Sequence, residues 1–94
     1  MSVLAFDSAG NGCSAAVLRD GQIAAHRFAL MERGQAEALM PMIAAVLEEA
    51  AMPVEALDLI AVTVGPGAFT GLRIGLAAAQ GLALASGVPA LGIT

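Results

Sequence analysis

The sequence contains no lysine, tryptophan or tyrosine, and only one cysteine and one histidine in 94 residues. Four arginines stand against eight acidic residues, so the formal net charge is −4 and no basic face is available for autonomous nucleic-acid binding. The aromatic content of 3% also excludes a set of side chains on which bases could stack. The single cysteine, Cys13, provides neither a disulfide framework nor a metal cluster. This cysteine usage is typical of a reducing cytoplasm, which is the localisation we predict.

Apolar side chains, by contrast, are abundant and unevenly distributed. Hydrophobic residues make up 59% of the chain, and from Leu59 to Thr94 the only charged side chain is Arg73. A monomer of this mass buries only roughly 60–65% of its unfolded surface. The chain therefore has more apolar surface than one small domain easily hides, which predicts contact with a partner.

The uncharged stretch Ile74–Thr94 is long enough in principle for a membrane span. It is interrupted by glutamine, glycine, serine and proline, and much of the remainder is alanine, which partitions weakly into a bilayer. The N-terminal segment reaches Asp7 after a short apolar run and lacks a positively charged region, so it does not resemble a signal peptide. We predict no membrane association.

Alternation and turn residues predict five strands, and two longer segments predict helices. The strands are Val3–Phe6, Cys13–Leu18, Gln22–Leu30, Leu59–Val64 and Ala90–Ile93. Between the second and third strands, Asp20 and Gly21 form a strong hairpin signal.

The first helix is predicted from Gly34 to Ala51, with Pro41 causing a kink or a late helix start. The second runs from an N-cap at Thr70 to Ser86. Because the helices form right-handed crossovers between parallel strands, the predicted α/β sheet has the order 3-2-1-4-5.

A glycine-rich turn follows the fourth strand and leads into the second helix. Such a turn can bind phosphate through backbone amides, but the segment lacks the P-loop pattern and its lysine. Gly67, Gly71 and Gly75 are spaced four residues apart, so the last two share a helix face on which another helix can approach closely. Packing is the favoured interpretation, and phosphate binding remains the alternative.

This segment, GPGAFTGLRIG from Gly65 to Gly75, resembles the hallmark of the bacterial TsaB/YeaZ family of tRNA threonylcarbamoyladenosine biosynthesis proteins. Three further segments are similar to that family: the opening LAFDSA, the helical LMPMI with its internal proline, and QGLALA after the glycine motif. The resemblance spans the whole chain. Members of the family are more than twice as long, so residues 1–94 are expected to be an N-terminal lobe, with the second lobe absent from this chain.

The resemblance implies an actin-like, sugar-kinase-like and Hsp70-like ATPase fold. It also implies a non-catalytic scaffold subunit that supports TsaD, which transfers a threonylcarbamoyl group to adenosine 37 of certain tRNAs. TsaE, an ATPase, would join that pair, and tRNA would be contacted only indirectly. TsaD-like catalysts use two histidines on one helix as metal ligands, whereas this chain has only His26, in a predicted strand. We therefore predict no catalytic residue, no metal and no cofactor.

The two helices are the expected contact surface for TsaD and for a second copy of the chain. Methionines at positions 31, 40, 42 and 52, in or beside the first helix, suit a surface that repacks against more than one partner. A helix bundle is expected to cross near Gly71, Gly75 and Ala78. The predicted interface residues are Leu39, Met42, Gly71, Gly75, Ala78 and Leu82.

An alternative function is the nucleotide-binding lobe of an actin-like ATPase or kinase. Asp7 follows the central strand at a glycine turn, where such ATPases place a carboxylate that faces metal or phosphate. Together with Gly67 and Thr70, it is the predicted remnant of a nucleotide site.

Overall fold

The computed structural model describes residues 1–65 and 69–93, with side chains from residue 71 onward in the second range. The elements in chain order are β1 (Ser2–Asp7), β2 (Gly12–Arg19), β3 (Gln22–Leu30), α1 (Gln35–Glu49), a 3₁₀ turn (Val54–Ala56), β4 (Leu59–Thr63), α2 (Phe69–Ser86) and β5 (Ala90–Ile93). The strands form one sheet of order β3-β2-β1-β4-β5, which confirms the predicted topology. β1 is antiparallel to β2 and parallel to β4, so it lies at the centre of the sheet.

The β2–β3 hairpin turns at the two residues that predicted it. Asp20 has a φ of 54° and Gly21 a φ of 81°, the left-handed values that a two-residue hairpin turn requires. The turn fixes the register in which Arg19 pairs with Gln22. Local sequence chemistry therefore determines this edge of the sheet.

Both helices lie on one face of the sheet. α1 packs on β2 and β3, α2 packs on β4, β1 and β5, and the helices contact each other. Two successive right-handed crossovers in the same direction across a sheet produce this arrangement. The largest fully buried apolar side chains of the core between the helices and the sheet are Leu4, Val17, Leu39, Ile43, Val46 and Ile60.

Side-chain contacts attach α1 to the hairpin. The Arg19 guanidinium donates to the carbonyl oxygen of Ala50 at 2.8 Å, where a positive charge complements the C-terminal end of the helix dipole. Arg27 on β3 forms an ion pair with Glu49 in the last turn of α1. The hairpin therefore fixes the C-terminal end of α1.

The opposite face of the sheet, which we call the open face, is apolar and exposed. Cys13 faces α1 and its neighbour Ser14 points away, so Phe28, which pairs with Ser14, lies on the open face. Alternation also places Leu30, Leu91 and Ile93 there. A register shift between Val17 and Leu18 brings Ile23 opposite Leu18, on the same face. These four residues and Phe28 are the exposed large apolar residues of the described strands. The helices therefore cover only the other face of the sheet.

The helix bounds differ slightly from the predicted ones. α1 begins at Gln35, after the N-cap residue Gly34 with its left-handed φ of 90°, and it ends at Glu49. Pro41 lies inside this continuous helix, so the predicted late start is wrong. Within residues 1–65 and 69–93, no helix is long and apolar enough to cross a membrane.

Candidate functional site

An apolar groove of about 590 Å³ lies between α1 and α2. Every described residue that lines it is apolar: Ala36, Leu39, Met40, Ile74, Ala77, Ala78, Gly81, Leu82 and Ala85. Its volume falls within the range of about 300–1,000 Å³ that is usual for binding sites. Because the described lining contains no charged or hydrogen-bonding side chain, the groove suits an apolar occupant.

The groove exists because small residues line the facing sides of the two helices. On α2, Ala78 and Gly81 follow Ile74 at helical spacing, and Ala85 continues the same stripe one turn later. On α1, Ala36 lies one turn before Met40. Because these small side chains do not fill the space between the helices, Met40 beside them remains accessible from outside.

Three of the six predicted interface residues lie at this groove, namely Leu39, Ala78 and Leu82. Met42 is partly buried and packs against the core instead. The structure therefore brings together half of the predicted interface set.

The two remaining predicted interface residues, Gly71 and Gly75, face the sheet of their own chain. A Cβ on Gly71 would overlap the carbonyl oxygen of Ser8, and a Cβ on Gly75 would lie 3.0 Å from Cγ2 of Val62. The Ser8 hydroxyl donates to the Gly71 carbonyl at 2.7 Å across this contact. The two glycines therefore allow α2 to approach β1 and β4 closely, and the groove lies on a different side of the helix.

The sequence analysis missed five of the groove residues, namely Ala36, Ile74, Ala77, Gly81 and Ala85, and it placed Met40 on the repacking surface without including it in the predicted interface set. The signal was present in the stripe of small residues along α2. That stripe adjoins the one that contains Gly71 and Gly75, and helical spacing alone does not show which stripe meets the sheet.

The predicted nucleotide remnant is only partly described. The Asp7 carboxylate accepts a hydrogen bond from the backbone N–H of Ala9 at 2.8 Å, which stabilises the turn after β1. Asp7 also lines a pocket of about 160 Å³ together with Asn11 and Ser14. Gly67 and the side chain of Thr70 lie outside the described part of the chain. The pocket is smaller than the roughly 300 Å³ at which ligand sites usually begin.

Cys13 and His26 are not brought together. Burial, with a smaller contribution from the charge of Asp7, raises the pKa of the Cys13 thiol and so disfavours the reactive thiolate. His26 is exposed on β3, where it pairs with Ala16. Among the described residues, no group of three or more histidine, cysteine or acidic side chains could hold a metal ion.

Comparisons with known proteins agree with this architecture. A family model described as "TsaD: tRNA N6-adenosine threonylcarbamoyltransferase" matches residues 29–94. The tRNA threonylcarbamoyladenosine biosynthesis protein TsaB of Escherichia coli K12 is 38% identical over 94 residues, covering 100% of this chain and 40% of that protein. A tRNA N6-adenosine threonylcarbamoyltransferase of Dinoroseobacter shibae is 37% identical over 108 residues, covering 99% of this chain and 30% of that protein.

A solved structure shows the same fold. YeaZ from Pseudomonas aeruginosa superposes with a TM-score of 0.92 at 39% identity, covering 99% of this chain and 43% of that structure. The chain thus spans less than half the length of these relatives. The predicted resemblance to TsaB/YeaZ and the actin-like ATPase fold are both confirmed. The chain belongs to the TsaD family of tRNA N6-adenosine threonylcarbamoyltransferases, and along its whole length it resembles the TsaB/YeaZ proteins.

Proposed function

We propose that this chain is a non-catalytic docking subunit in the biosynthesis of N6-threonylcarbamoyladenosine at position 37 of tRNA. Its partner would be a TsaD threonylcarbamoyltransferase, bound at the groove between α1 and α2. The observation that carries the proposal is the wholly apolar lining of that groove. Relatives from Escherichia coli and Haemophilus influenzae are named as biosynthesis proteins of this tRNA modification, which supports the pathway.

The chemistry of the groove defines its occupant. An amphipathic helix can place its apolar face in such a groove, as in other helix-in-groove complexes. Large apolar side chains from the partner would fill the space above the alanines and would cover Met40, which is 45% exposed. Each such side chain transferred from water contributes about 1.5–3 kcal/mol. The same surface would accept a second copy of this chain, and TsaE would join the assembled pair.

Histidine chemistry gives no support for catalysis by this chain itself. His26 is the only histidine in the sequence and lies on an exposed strand position. In the proposed complex, the partner transferase supplies the reacting groups and most of the tRNA contacts. This role would place the chain in the cytoplasm, with its tRNA substrate.

A pair of charge substitutions on α2 tests the docking surface. Ala77 and Gln80 are both exposed, but only Ala77 lines the groove. Ala77→Glu should weaken binding to the TsaD protein of the same organism at least about tenfold, because docking would bury a carboxylate without a partner. Gln80→Glu adds the same charge to the same helix outside the groove and should bind like the parent chain.

Binding is measured by isothermal titration calorimetry, with the mass of the complex checked by light scattering. Circular dichroism of both variants confirms that the helices are retained. Equal affinity for the two variants, or no complex with the parent chain, would refute docking at the groove.

We also propose that residues 1–94 form the first lobe of the two-lobed fold. The open face would then contact a second lobe, whether that lobe lies in the same polypeptide or in another one. Its apolar side chains, such as Phe28 at 59% exposure, support this assignment. A second-lobe segment from a YeaZ relative, added in trans, should protect the amides of β3 and β5 from hydrogen exchange. An unchanged exchange pattern would contradict this assignment.

A nucleotide-binding lobe remains the second candidate because Asp7 lines a pocket at the end of the central strand. Calorimetry with ATP and Mg²⁺ separates the two functions. A docking subunit shows no heat of binding on its own. An ATPase lobe binds, and it loses that binding on Asp7→Ala.

A further inference from the structure

One methionine side chain on the groove is exposed. Met40 lies on α1, lines the groove and is 45% exposed. The three other methionines near α1, at positions 31, 42 and 52, are partly buried and pack against the core. Met1, at 68% exposure, is the other accessible methionine, and it does not line the groove.

An accessible thioether can be oxidised by a hydroperoxide. The sulfur lone pair attacks the terminal peroxide oxygen, an S–O bond forms and the O–O bond breaks. The sulfur is oxidised to a sulfoxide, and hydrogen peroxide is reduced to water after one proton moves between its oxygens. Methionine sulfoxide reductases reverse the reaction, so the modification can act as a switch.

The lining of the groove makes such a sulfoxide unfavourable in a docked complex. The sulfoxide oxygen is a hydrogen-bond acceptor, and none of the described lining side chains carries a donor. Within α1, the backbone N–H groups from Ala38 onward donate to helix carbonyls. In the free chain water solvates the sulfoxide, whereas in the closed groove the described lining side chains offer its oxygen no donor.

We propose that Met40 is an oxidation site that controls docking at the groove, so that hydroperoxides release the partner and sulfoxide reductases restore binding. This inference rests on the proposed docking function. An unsatisfied buried polar group costs about 1–3 kcal/mol, which corresponds to a loss of affinity of about 5- to 150-fold. Oxidation of the other accessible methionine, Met1, should leave docking unchanged.

The test compares the parent chain with Met40→Leu, before and after treatment with hydrogen peroxide. Peptide mass spectrometry locates the added oxygen, and calorimetry measures the affinity for the TsaD protein of the same organism. The readout is the ratio of affinities before and after oxidation for each protein, so any effect of the substitution itself cancels. Oxidation of Met1 in both proteins provides an internal control.

The parent chain should lose affinity at least about fivefold on oxidation, the lower end of the range above, and regain it after treatment with sulfoxide reductases. Met40→Leu should show a ratio near one although its Met1 is oxidised. Unchanged affinity of a parent chain that carries the Met40 sulfoxide would overturn the switch alone. Oxidation of Met42 ahead of Met40 would also overturn it. If the untreated parent chain does not bind the TsaD protein, the docking proposal and the oxidation proposal are both refuted. The untreated measurement then shows that the docking proposal is the one that failed.

Discussion

Replacing Gly71 with alanine should destabilise the fold, because the added Cβ would overlap the carbonyl oxygen of Ser8. The next nearest atoms are the Ser8 carbonyl carbon at 3.1 Å and the Ala9 Cα at 3.2 Å. All three are backbone atoms, so no rotation of a side chain relieves the overlap and α2 must move away from β1. Such overpacking typically costs about 1–3 kcal/mol.

Movement of α2 would also strain a buried hydrogen bond. The Ser8 hydroxyl donates to the Gly71 carbonyl at 2.7 Å, and a bond of this kind contributes about 0.5–1.5 kcal/mol. Removing a helical glycine recovers at most about 1 kcal/mol of backbone entropy. The net loss expected for Gly71→Ala is therefore about 1–3 kcal/mol. At about 4–8 °C per kcal/mol for a domain of this size, the decrease in Tm should be between about 4 and 24 °C.

Gly81 provides the matched control on the same helix. A Cβ built there meets nothing within 4 Å, so Gly81→Ala adds helix propensity without overlap and should stabilise by about 0.5–1 kcal/mol. Urea unfolding followed by circular dichroism at one protein concentration measures both variants, since self-association would shift stability with concentration. Close contact between Gly71 and the backbone of Ser8 is refuted if Gly71→Ala is as stable as the parent chain, or if it changes stability in the same direction as Gly81→Ala.

Four smaller predictions concern single side chains. Ser8→Ala should lower the free energy of unfolding by about 0.5–1.5 kcal/mol, measured in urea, because it removes the buried bond to α2. Cys13 should label with a maleimide only after unfolding, since burial raises the pKa of its thiol; prompt labelling of the native chain would contradict its position. In Arg27→Gln, the pKa of Glu49 should rise toward its ordinary value, because Arg27 lowers that pKa through a hydrogen bond; an NMR titration measures the change. In the parent chain, the stabilisation from this ion pair is present above the unfolded pKa of Glu49 and is lost as the pH falls through the folded pKa. Phe28→Ser should raise the solubility limit of the chain without changing its helix content, since the ring is exposed on the open face.

The sheet was predictable because its signals are local. The hairpin depends on two adjacent residues, Asp20 and Gly21, whose positive φ values are also the ones that their residue types favour. The apolar run that became β4 needed only its β-branched composition and the turn after it. The order of the strands then followed from the handedness of crossovers.

The site was less predictable because it depends on contacts between distant segments. Ser8 and Gly71 are 63 residues apart, and only the folded sheet shows that Gly71 and Gly75 face β1 and not a partner. The late helix start predicted from the internal proline is wrong for a different reason. Pro41 is exposed on the surface of α1, where water can replace the hydrogen bond that the carbonyl of Glu37 loses, so the helix continues through it.

The scarcity of charge in the second half of the chain follows from the surroundings of α2. A helix that is apolar on all sides is expected to be buried on all sides. One side of α2 meets the sheet through its glycines, and α1 partly covers a second side at the groove. The outer side is uncovered, because Leu76 is 37% exposed and Leu84 is 88% exposed. Leu84 does not line the groove, so an occupant confined to the groove would leave it in water. A partner that docks in the groove alone therefore leaves the outer side of α2, on which Gln80 also lies by helical spacing, in contact with water.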